Sequence, residues 1–328
     1  MKLSYQYVIY GASGFYEIAY HDLFKDDNIL YYSFFNEGVK KAIPKIITRI
    51  SFSSKINQLF NYPFKRYSFD RISECSFSKE GKVCFIFFTG AYLHLTSEFI
   101  VHLRCKYKRA KIILFLQDIV SSHQKFDVEQ AKSDFDLVLS YDKNDTEKYG
   151  LLYHPTPYSF VPVMPVDTPA SDFYFCGQAK NRYKTIFQIY CKLRQEGYKC
   201  DFHIFQLDKR KQIIEDGLIY DEPMSYIDNL KHVVSSKCIL EIQQGGAVGF
   251  TPRLWESIMY DKHLLSDNLT IKSSQFYNEN TVHFIDKIND VSSWINLEAH
   301  HSQQMKDSLS PYNLLAYIEE RLSLYAED

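Results

Sequence analysis

Short apolar segments that alternate with longer amphipathic segments constrain the fold of this chain most strongly. The first apolar segment, residues 5–10, is rich in β-branched and aromatic residues and ends at a glycine turn, residues 11–14. A helix-compatible stretch follows the turn. Further apolar segments occur at residues 28–35, 83–89, 111–116 and 135–140. Because alternating strands and helices form parallel sheets, the pattern predicts an α/β fold.

A second series of the same kind follows a proline-rich segment. Five of the ten prolines lie between residues 155 and 169, which predicts a linker. Ser310 and Pro311 have the pattern of an N-cap and a first helical residue, so a terminal helix is expected there, packing back across the linker. The strands expected after the linker are residues 172–177, 200–206, 238–242, 263–266 and 282–285, and the helices are 184–196, 225–234 and 252–260. We therefore expect two Rossmann-like domains, residues 1–165 and residues 166–328, the second including the terminal helix.

Length and composition limit the class of protein. At about 150 residues per domain, 328 residues suit two domains, and 45% hydrophobic with 24% charged residues is a globular composition. The net charge of -2 argues against a surface built wholly for nucleic acid. Seven cysteines without a CxxC pair suggest neither a disulfide framework nor a zinc site, which favours a reducing cytoplasm. We see neither a secretory leader nor an apolar run long enough to span a bilayer.

A polar cluster follows the first predicted strand of the second half. Gly177 ends this strand, and Lys180 and Arg182 follow three and five positions later. Two cations beside the next helix N-terminus are suited to a diphosphate. The alternative interpretation is an ordinary solvated helix start.

A glycine-rich segment follows the strand at 238–242. Three glycines fall within five residues, and Thr251 and Pro252 then form a helix start, so a ligand can approach the backbone closely. Arg253 and Glu256 share one face of that helix. This layout suits a nucleotide diphosphate, with Arg253 on phosphate and Glu256 on ribose hydroxyls. The alternative is a capped helix with an internal ion pair.

Segments 175–182, 238–244 and 249–256 resemble the donor-binding half of GT-B glycosyltransferases. More narrowly, they resemble the bacterial glycosyltransferases of capsule, exopolysaccharide and O-antigen (lipopolysaccharide) clusters. The resemblance covers most of residues 135–290 and the first 130 residues only in outline. It implies two Rossmann-like domains facing across a cleft, the first binding the acceptor and the second the nucleotide-sugar donor. The donor-site residues that it implies are Gly177, Lys180, Arg182, Gln244, Gly249, Thr251, Arg253 and Glu256. Only Glu256 has a place in the usual two-glutamate signature, so inversion or retention stays open.

Glycosyl transfer with inversion requires a general base on the acceptor hydroxyl. Asp118 directly follows a predicted strand, where a ligand-facing residue is expected, and Glu17 is the next candidate. Each carboxylate alone is also compatible with a purely structural role. The residues proposed for an acceptor-side loop are Gly11, Ser13 and Gly14, with a plain tight turn as the alternative.

A metal site is not expected. Asp134 and Asp136 fit the D-x-D pattern that holds a divalent metal in another transferase fold, but Asp136 begins a strand instead of following one. The eleven histidines lack an H-x-x-x-H or comparable ligand spacing. Since cations and helix dipoles can neutralise a diphosphate, we expect metal-independent transfer and no cofactor besides the nucleotide sugar.

Residues 40–71 hold eight Lys or Arg against a single acidic residue, Asp70, interleaved with apolar side chains. This mixture suits an anionic membrane surface, with an ordinary solvated helix face as the alternative. Because no recognised nucleic-acid module accompanies the patch, nucleic acid is not expected as a partner.

Together these features predict a hexosyltransferase-type enzyme. It would move a sugar from a UDP-linked donor to a lipid-linked or oligosaccharide acceptor at the cytoplasmic face of the membrane. The alternatives are a nucleotide-sugar epimerase and a noncatalytic nucleotide-sugar-binding subunit of a glycosyltransferase complex.

Overall fold

A computed structural model describes the chain at residues 3–11, 14–33, 50, 65–93, 95–122, 126–164, 167–220, 223–243 and 249–324. Its contacts divide the chain into two units. The first unit is Met1–Pro157 together with Ser310–Asp328, and the second is Tyr158–Leu309. Each unit contains one six-stranded parallel sheet, so the predicted α/β class with two Rossmann-like units is confirmed.

The sheet of the first unit has the strand order β2-β1-β3-β4-β5-β6. Its strands are β1 (Gln6–Gly11), β2 (Ile29–Ser33), β3 (Val83–Phe88), β4 (Lys111–Leu116), β5 (Leu137–Ser140) and β6 (Leu152–Tyr153). All six residues of β3 are buried, as in a parallel sheet covered on both faces. This double burial is why the strands read as continuous apolar runs in the sequence.

Helices of the first unit connect these strands. In chain order they are α1 (Phe15–Ala19), α2 (Lys65–Ile72), α3 (Thr89–Tyr92), α4 (Ser97–Lys106), α5 (Val128–Asp134) and α6 (Lys143–Tyr149). Asp127 and Asp142 cap α5 and α6 by accepting backbone N–H bonds at 3.0 Å. Gly150 ends α6 in the left-handed conformation, at φ 62°.

The sheet of the second unit has the strand order β12-β11-β10-β7-β8-β9. Its strands are β7 (Ser171–Gln178), β8 (Cys200–Phe205), β9 (Leu218–Ile219), β10 (Ser236–Glu241), β11 (His263–Ser266) and β12 (Val282–Phe284). The helices are α7 (Tyr183–Gln195), α8 (Tyr226–Ser235), α9 (Pro252–Met259) and α10 (Gln303–Ser308). Phe173, Phe202 and Trp294 belong to a core that is built largely from β7, β8 and α7.

The last helix, α11 (Pro311–Leu324), belongs to the first unit. The Glu319 carboxylate accepts the backbone N–H of Ser4 at 2.7 Å and the Tyr7 hydroxyl at 3.0 Å, which ties α11 to the start of β1. The expected domain division is therefore corrected in two respects. The first unit ends at Pro157 instead of residue 165, and the terminal helix leaves the second unit.

Two features bear on the membrane expectation. Within the described residues, no helix is long and apolar enough to cross a bilayer. Of the basic segment 40–71, only residue 50 and the residues of α2 are described. The proposed membrane patch thus lies mainly outside the described residues.

Candidate functional site

The second unit has a topological switch point between β7 and β10. These strands are neighbours, paired through Cys238 with Phe173 and Ile239 with Tyr174. From β7 the chain crosses to β8 on one side, and from β10 it crosses to β11 on the other. Ligands of open parallel sheets bind at such a point, beyond the carboxyl ends of the strands. Both polar segments singled out in the sequence begin here.

Arg182 links the two loops that leave this point. Its Nε donates to the Gln178 carbonyl at 3.1 Å, and its Nη1 donates to the Ile242 carbonyl at the end of β10. A Cβ at Gly177 would lie 2.9 Å from Arg182 Nη2 and 3.3 Å from the Phe175 ring, so glycine permits this close passage. Burial lowers the pKa of Arg182, and the nearby Arg253 guanidinium acts in the same direction.

Lys180 lies on the same loop and is exposed. Its backbone has φ 40°, a left-handed value that non-glycine residues adopt infrequently. The loop thus holds one exposed cation and one half-buried cation at the carboxyl edge of β7. The structure thus brings the two predicted cations together on one loop.

The second loop ends at the N-terminus of α9. Thr251 accepts the backbone N–H of Arg253 at 3.2 Å, and Pro252 occupies the first helical turn. The Gly249 carbonyl accepts Gln243 Nε2 at 3.1 Å, which orders the loop end. Gln244 lies outside the described residues. Of the predicted loop residues, Gly249 and Thr251 are therefore at the switch point.

A buried carboxylate missed by the sequence reasoning supports this loop. Glu241, the last residue of β10, is 2% exposed and accepts the hydroxyls of Thr251 and Ser266. Burial raises the pKa of Glu241, and the two hydroxyl donors oppose that shift. Glu241 thereby fixes the cap of α9 against two adjacent strands. A carboxylate within an apolar strand segment was the only sequence signal for it.

Arg253 and Glu256 form an internal ion pair on α9. Arg253 also donates to Asn229 Oδ1 at 2.9 Å and to the Cys176 carbonyl at 3.2 Å. Glu256 is fully buried and accepts bonds from Tyr226, Asn229 and Arg253. Although burial opposes a charge at this place, the Glu256 carboxylate raises the pKa of Arg253 well above its usual value.

This network corrects the roles assigned to Arg253 and Glu256. A carboxylate with no exposed surface and three internal donors does not present an oxygen to a ribose, and the guanidinium is committed to partners within the unit. The internal ion pair, given above as the alternative, describes the pair better. Tyr226 and Asn229 of α8 complete the network. The fold brings α8 beside α9, and no sequence motif links these two residues to the pair.

The first unit has an equivalent switch point between β1 and β3. A Cβ at Gly11 would lie 2.1 Å from the Tyr31 hydroxyl, so a side chain at this strand end would force the Tyr31 ring to move. Ser13 lies outside the described residues. Gly14 has φ 75° and donates its N–H to the Glu17 carboxylate at 3.2 Å, so Glu17 acts as a local helix cap. That contact favours the structural interpretation of Glu17.

Asp118 lies two residues beyond the end of β4 and is exposed. Burial and, after it, the Asp118 carboxylate raise the pKa of Tyr16. Asp118 also contributes to raising the pKa of Tyr141, behind burial and Asp142. Asp118 thus lies at the carboxyl edge of the first sheet, as its position after a strand predicts.

The D-x-D segment has structural partners. Asp134 ends α5 and accepts the Ser97 hydroxyl at 2.7 Å. Asp136 precedes β5, pairs with Arg104 and Lys111, and accepts the Ile112 N–H at 2.8 Å. Both carboxylates thus have partners within the first unit.

A different group has metal-ligand composition. Asp201 and His203 of β8 and His232 of α8 bring one carboxylate and two imidazoles together, with the ligand atoms within 4.8 Å of one another. The alternation of Asp201 and His203 on one strand face was visible in the sequence, whereas His232 lies too far along the chain to be linked by spacing.

Comparisons with known proteins give the fold. No protein-family model matches the chain, and no curated protein matches its sequence. A solved structure of an alpha-glucosyltransferase with UDP and a 13-mer DNA containing an A:G mismatch is 9% identical, with a TM-score of 0.54, over 97% of this chain and 98% of that chain. An alpha-glucosyltransferase structure with UDP-glucose and DNA containing an abasic site is 12% identical, with a TM-score of 0.51, over 94% and 91%.

A Methanocaldococcus jannaschii UDP-GlcNAc 2-epimerase is 10% identical over 95% of this chain and 99% of that chain, at a TM-score of 0.46. At these identities the comparisons establish the fold, which is that of GT-B glycosyltransferases. They also correct one expectation. The exclusion of nucleic acid as a partner was wrong, because both alpha-glucosyltransferase structures contain DNA.

Proposed function

We propose that the second unit binds the diphosphate of a UDP-sugar at the switch point between β7 and β10, and that the chain is a glycosyltransferase. The observation that carries this proposal is the convergence of Arg182, Lys180 and the N-terminus of α9 at one edge of a GT-B-type sheet. The two alpha-glucosyltransferase structures of similar fold contain UDP-glucose and UDP. These structures support uridine diphosphate as the nucleotide of the donor.

In the proposed reaction, an acceptor hydroxyl oxygen forms a bond to the anomeric carbon while the bond from that carbon to the diphosphate oxygen breaks. Negative charge develops on the departing UDP. Arg182 and Lys180 supply positive charge there, and the N-terminus of α9 adds about half an elementary charge. With this charge available, we propose that the diphosphate needs no divalent metal.

Arg253 and Glu256 act as positioning residues in this proposal. Their ion pair fixes the first turn of α9 against α8 through Asn229 and Tyr226. The Glu241 carboxylate accepts the Thr251 hydroxyl and so holds this helix cap in place. The N-terminus of α9, with its positive end of the helix dipole, is therefore held in place before a phosphate arrives.

For the acceptor side we propose Asp118 as the group that takes the proton of the acceptor hydroxyl. Its support is its exposure and its place beyond the end of β4. Glu17 is the weaker candidate because its carboxylate already caps α1. The Asp118→Asn variant is expected to lose turnover and keep UDP affinity. Normal turnover in this variant would exclude Asp118 as the general base.

We propose a lipid-linked or oligosaccharide acceptor of bacterial surface polysaccharide synthesis, reached from the cytoplasmic membrane face. The basic and apolar composition of residues 40–71 supports this acceptor. A hydroxyl group on DNA is the second candidate, favoured by the DNA in both alpha-glucosyltransferase structures. UDP release from UDP-glucose, measured with each acceptor class in turn, separates the two. An epimerase would instead convert the donor without any acceptor.

The donor site is tested by UDP titration calorimetry on the purified chain. Losing charge-assisted hydrogen bonds worth about 1.5–3 kcal/mol should weaken UDP binding by roughly 10- to 150-fold in Arg182→Ala. Arg194→Ala is the matched control, because Arg194 lies at the other end of α7 and pairs with the exposed Asp216. Equal UDP affinity in both variants would refute the placement of the donor site.

A further inference from the structure

A buried carboxylate joins two imidazoles behind the donor-site network. Asp201 and His203 alternate on β8 and so project from the same face of the sheet. His203 Nε2 lies 3.0 Å from Asp201 Oδ1, and His232 Nδ1 lies 2.6 Å from Asp201 Oδ2. We call these three residues the Asp-His-His cluster.

The spacing of these atoms is close to that of a zinc site. In tetrahedral zinc sites with metal–ligand bonds of about 2.0–2.1 Å, neighbouring ligand atoms lie about 3.4 Å apart. The separations of 3.0 and 2.6 Å run from the two imidazoles to different oxygens of Asp201, and one ligand atom from each of the three residues lies within 4.8 Å of the other two. The three side chains are therefore close enough for one ion to contact all of them.

Burial and charge favour a cation at this place. The side chains of Asp201 and His203 are 7% and 6% exposed, and the ion-pair partners of Asp201 among the described residues are the two histidines. A divalent cation would bring a counter-charge to this buried carboxylate. His232 is 18% exposed, which gives an ion a path from solvent.

The surroundings hold the ligands in place. The Tyr174 ring stacks on His232 at 5.4 Å with a 10° interplanar angle, and it meets His203 edge-on at 6.1 Å. The Tyr174 hydroxyl donates to Asn229 Oδ1 at 2.9 Å, the same oxygen that accepts from Arg253. An ion bound by the cluster would thus hold α8 against β8. Asn229, one of the residues that position α9, lies on the same helix α8.

We propose that Asp201, His203 and His232 bind one zinc ion in the second unit, with water in the fourth position. Carboxylate and imidazole together match the ligand preference of Zn²⁺. This inference does not rest on the proposed transferase activity and is separate from the metal-independent diphosphate site. It replaces the expectation from histidine spacing that the chain has no metal site.

The experiment is titration of the chelator-stripped full chain with Zn²⁺, in competition with a chromogenic chelator. We expect one equivalent to bind, and we expect the thermal midpoint to rise with Zn²⁺ concentration, because a ligand of the folded state stabilises that state. His232→Gln, at the partly exposed position, should reduce the zinc affinity at least tenfold. His283→Gln is the matched control, since His283 lies 3.2 Å from His263 in a pair of imidazoles.

Two outcomes would overturn the proposal. The first is the absence of stoichiometric zinc binding by the wild-type chain, which would leave a hydrogen-bonded Asp-His-His chain only. The second is binding through the cysteines, all seven of which are free. X-ray absorption of the zinc-loaded wild type distinguishes this case without any variant. Two imidazoles and oxygen ligands support the site, whereas sulfur ligands contradict it.

Discussion

Replacing Glu256 by glutamine should destabilise the second unit strongly. Glu256 is fully buried, and each of its three partners, Tyr226, Asn229 and Arg253, donates a hydrogen to it. Glutamine keeps the shape but removes the charge, and its amide N–H groups must face at least one of those donors. Breaking a buried ion pair by removing one partner costs about 3–5 kcal/mol.

The matched control for Glu256→Gln is Asp216→Asn. The Arg194–Asp216 pair has a separation of 2.8 Å, but Asp216 is 86% exposed. Such a surface pair contributes about 0–1 kcal/mol. At about 2–4 °C per kcal/mol, Glu256→Gln should lower the melting temperature by roughly 6–20 °C. Differential scanning calorimetry and urea unfolding measure both variants.

If Glu256→Gln lowers the free energy of unfolding by less than about 1 kcal/mol, the prediction is wrong. The Arg253–Glu256 pair would then be hydrated or unformed. The double variant Arg253→Met/Glu256→Met gives a second check. Because apolar side chains of similar volume can replace a buried pair at little cost, it should be more stable than Glu256→Gln.

Two further predictions concern stability. Burial lowers the pKa of His154 to about 4 from 6.5, so the unfolded chain binds the proton first. The contribution of neutral His154 to the free energy of unfolding is present above pH 6.5 and is lost as the pH falls through 4, about 3 kcal/mol in all. Urea midpoints measured against pH should therefore fall less in His154→Gln than in wild type. Gly217 and Gly197 have φ of 84° and 88°. A Cβ at Gly217 would lie 2.1 Å from the Cys200 carbonyl oxygen, whereas a Cβ at Gly197 would have no atom of the described residues within 4 Å. Gly197→Ala should cost about 1–2 kcal/mol and Gly217→Ala clearly more, and equal urea midpoints would contradict this.

The strands of the fold could be predicted because most of them are buried on both faces. The six residues of β3 form one apolar run, and β11 was predicted at the bounds that the structure gives, His263–Ser266. The two-residue strands β6 and β9 are too short to show any periodicity. Each lies at an edge of its sheet, and no sequence pattern marks it as a strand.

The candidate site was predictable where its residues are close in sequence. Gly177 and Arg182 share one loop, and the spacing of Arg253 and Glu256 pointed to one helix face. The sequence could not show that Asn229 and Tyr226 enclose that pair, since α8 reaches it through the topology. For the same reason the terminal helix was assigned to the wrong unit.

Amide hydrogen exchange with and without saturating UDP tests the central claim most directly, because it maps the nucleotide on the chain. The account predicts slower exchange in peptides that cover residues 178–182 and 249–253, the two loops at the switch point between β7 and β10. Arg182→Ala should lose this protection at the same UDP concentration. Protection confined to other segments, or none at saturating UDP, would contradict a donor site at this edge of the second sheet.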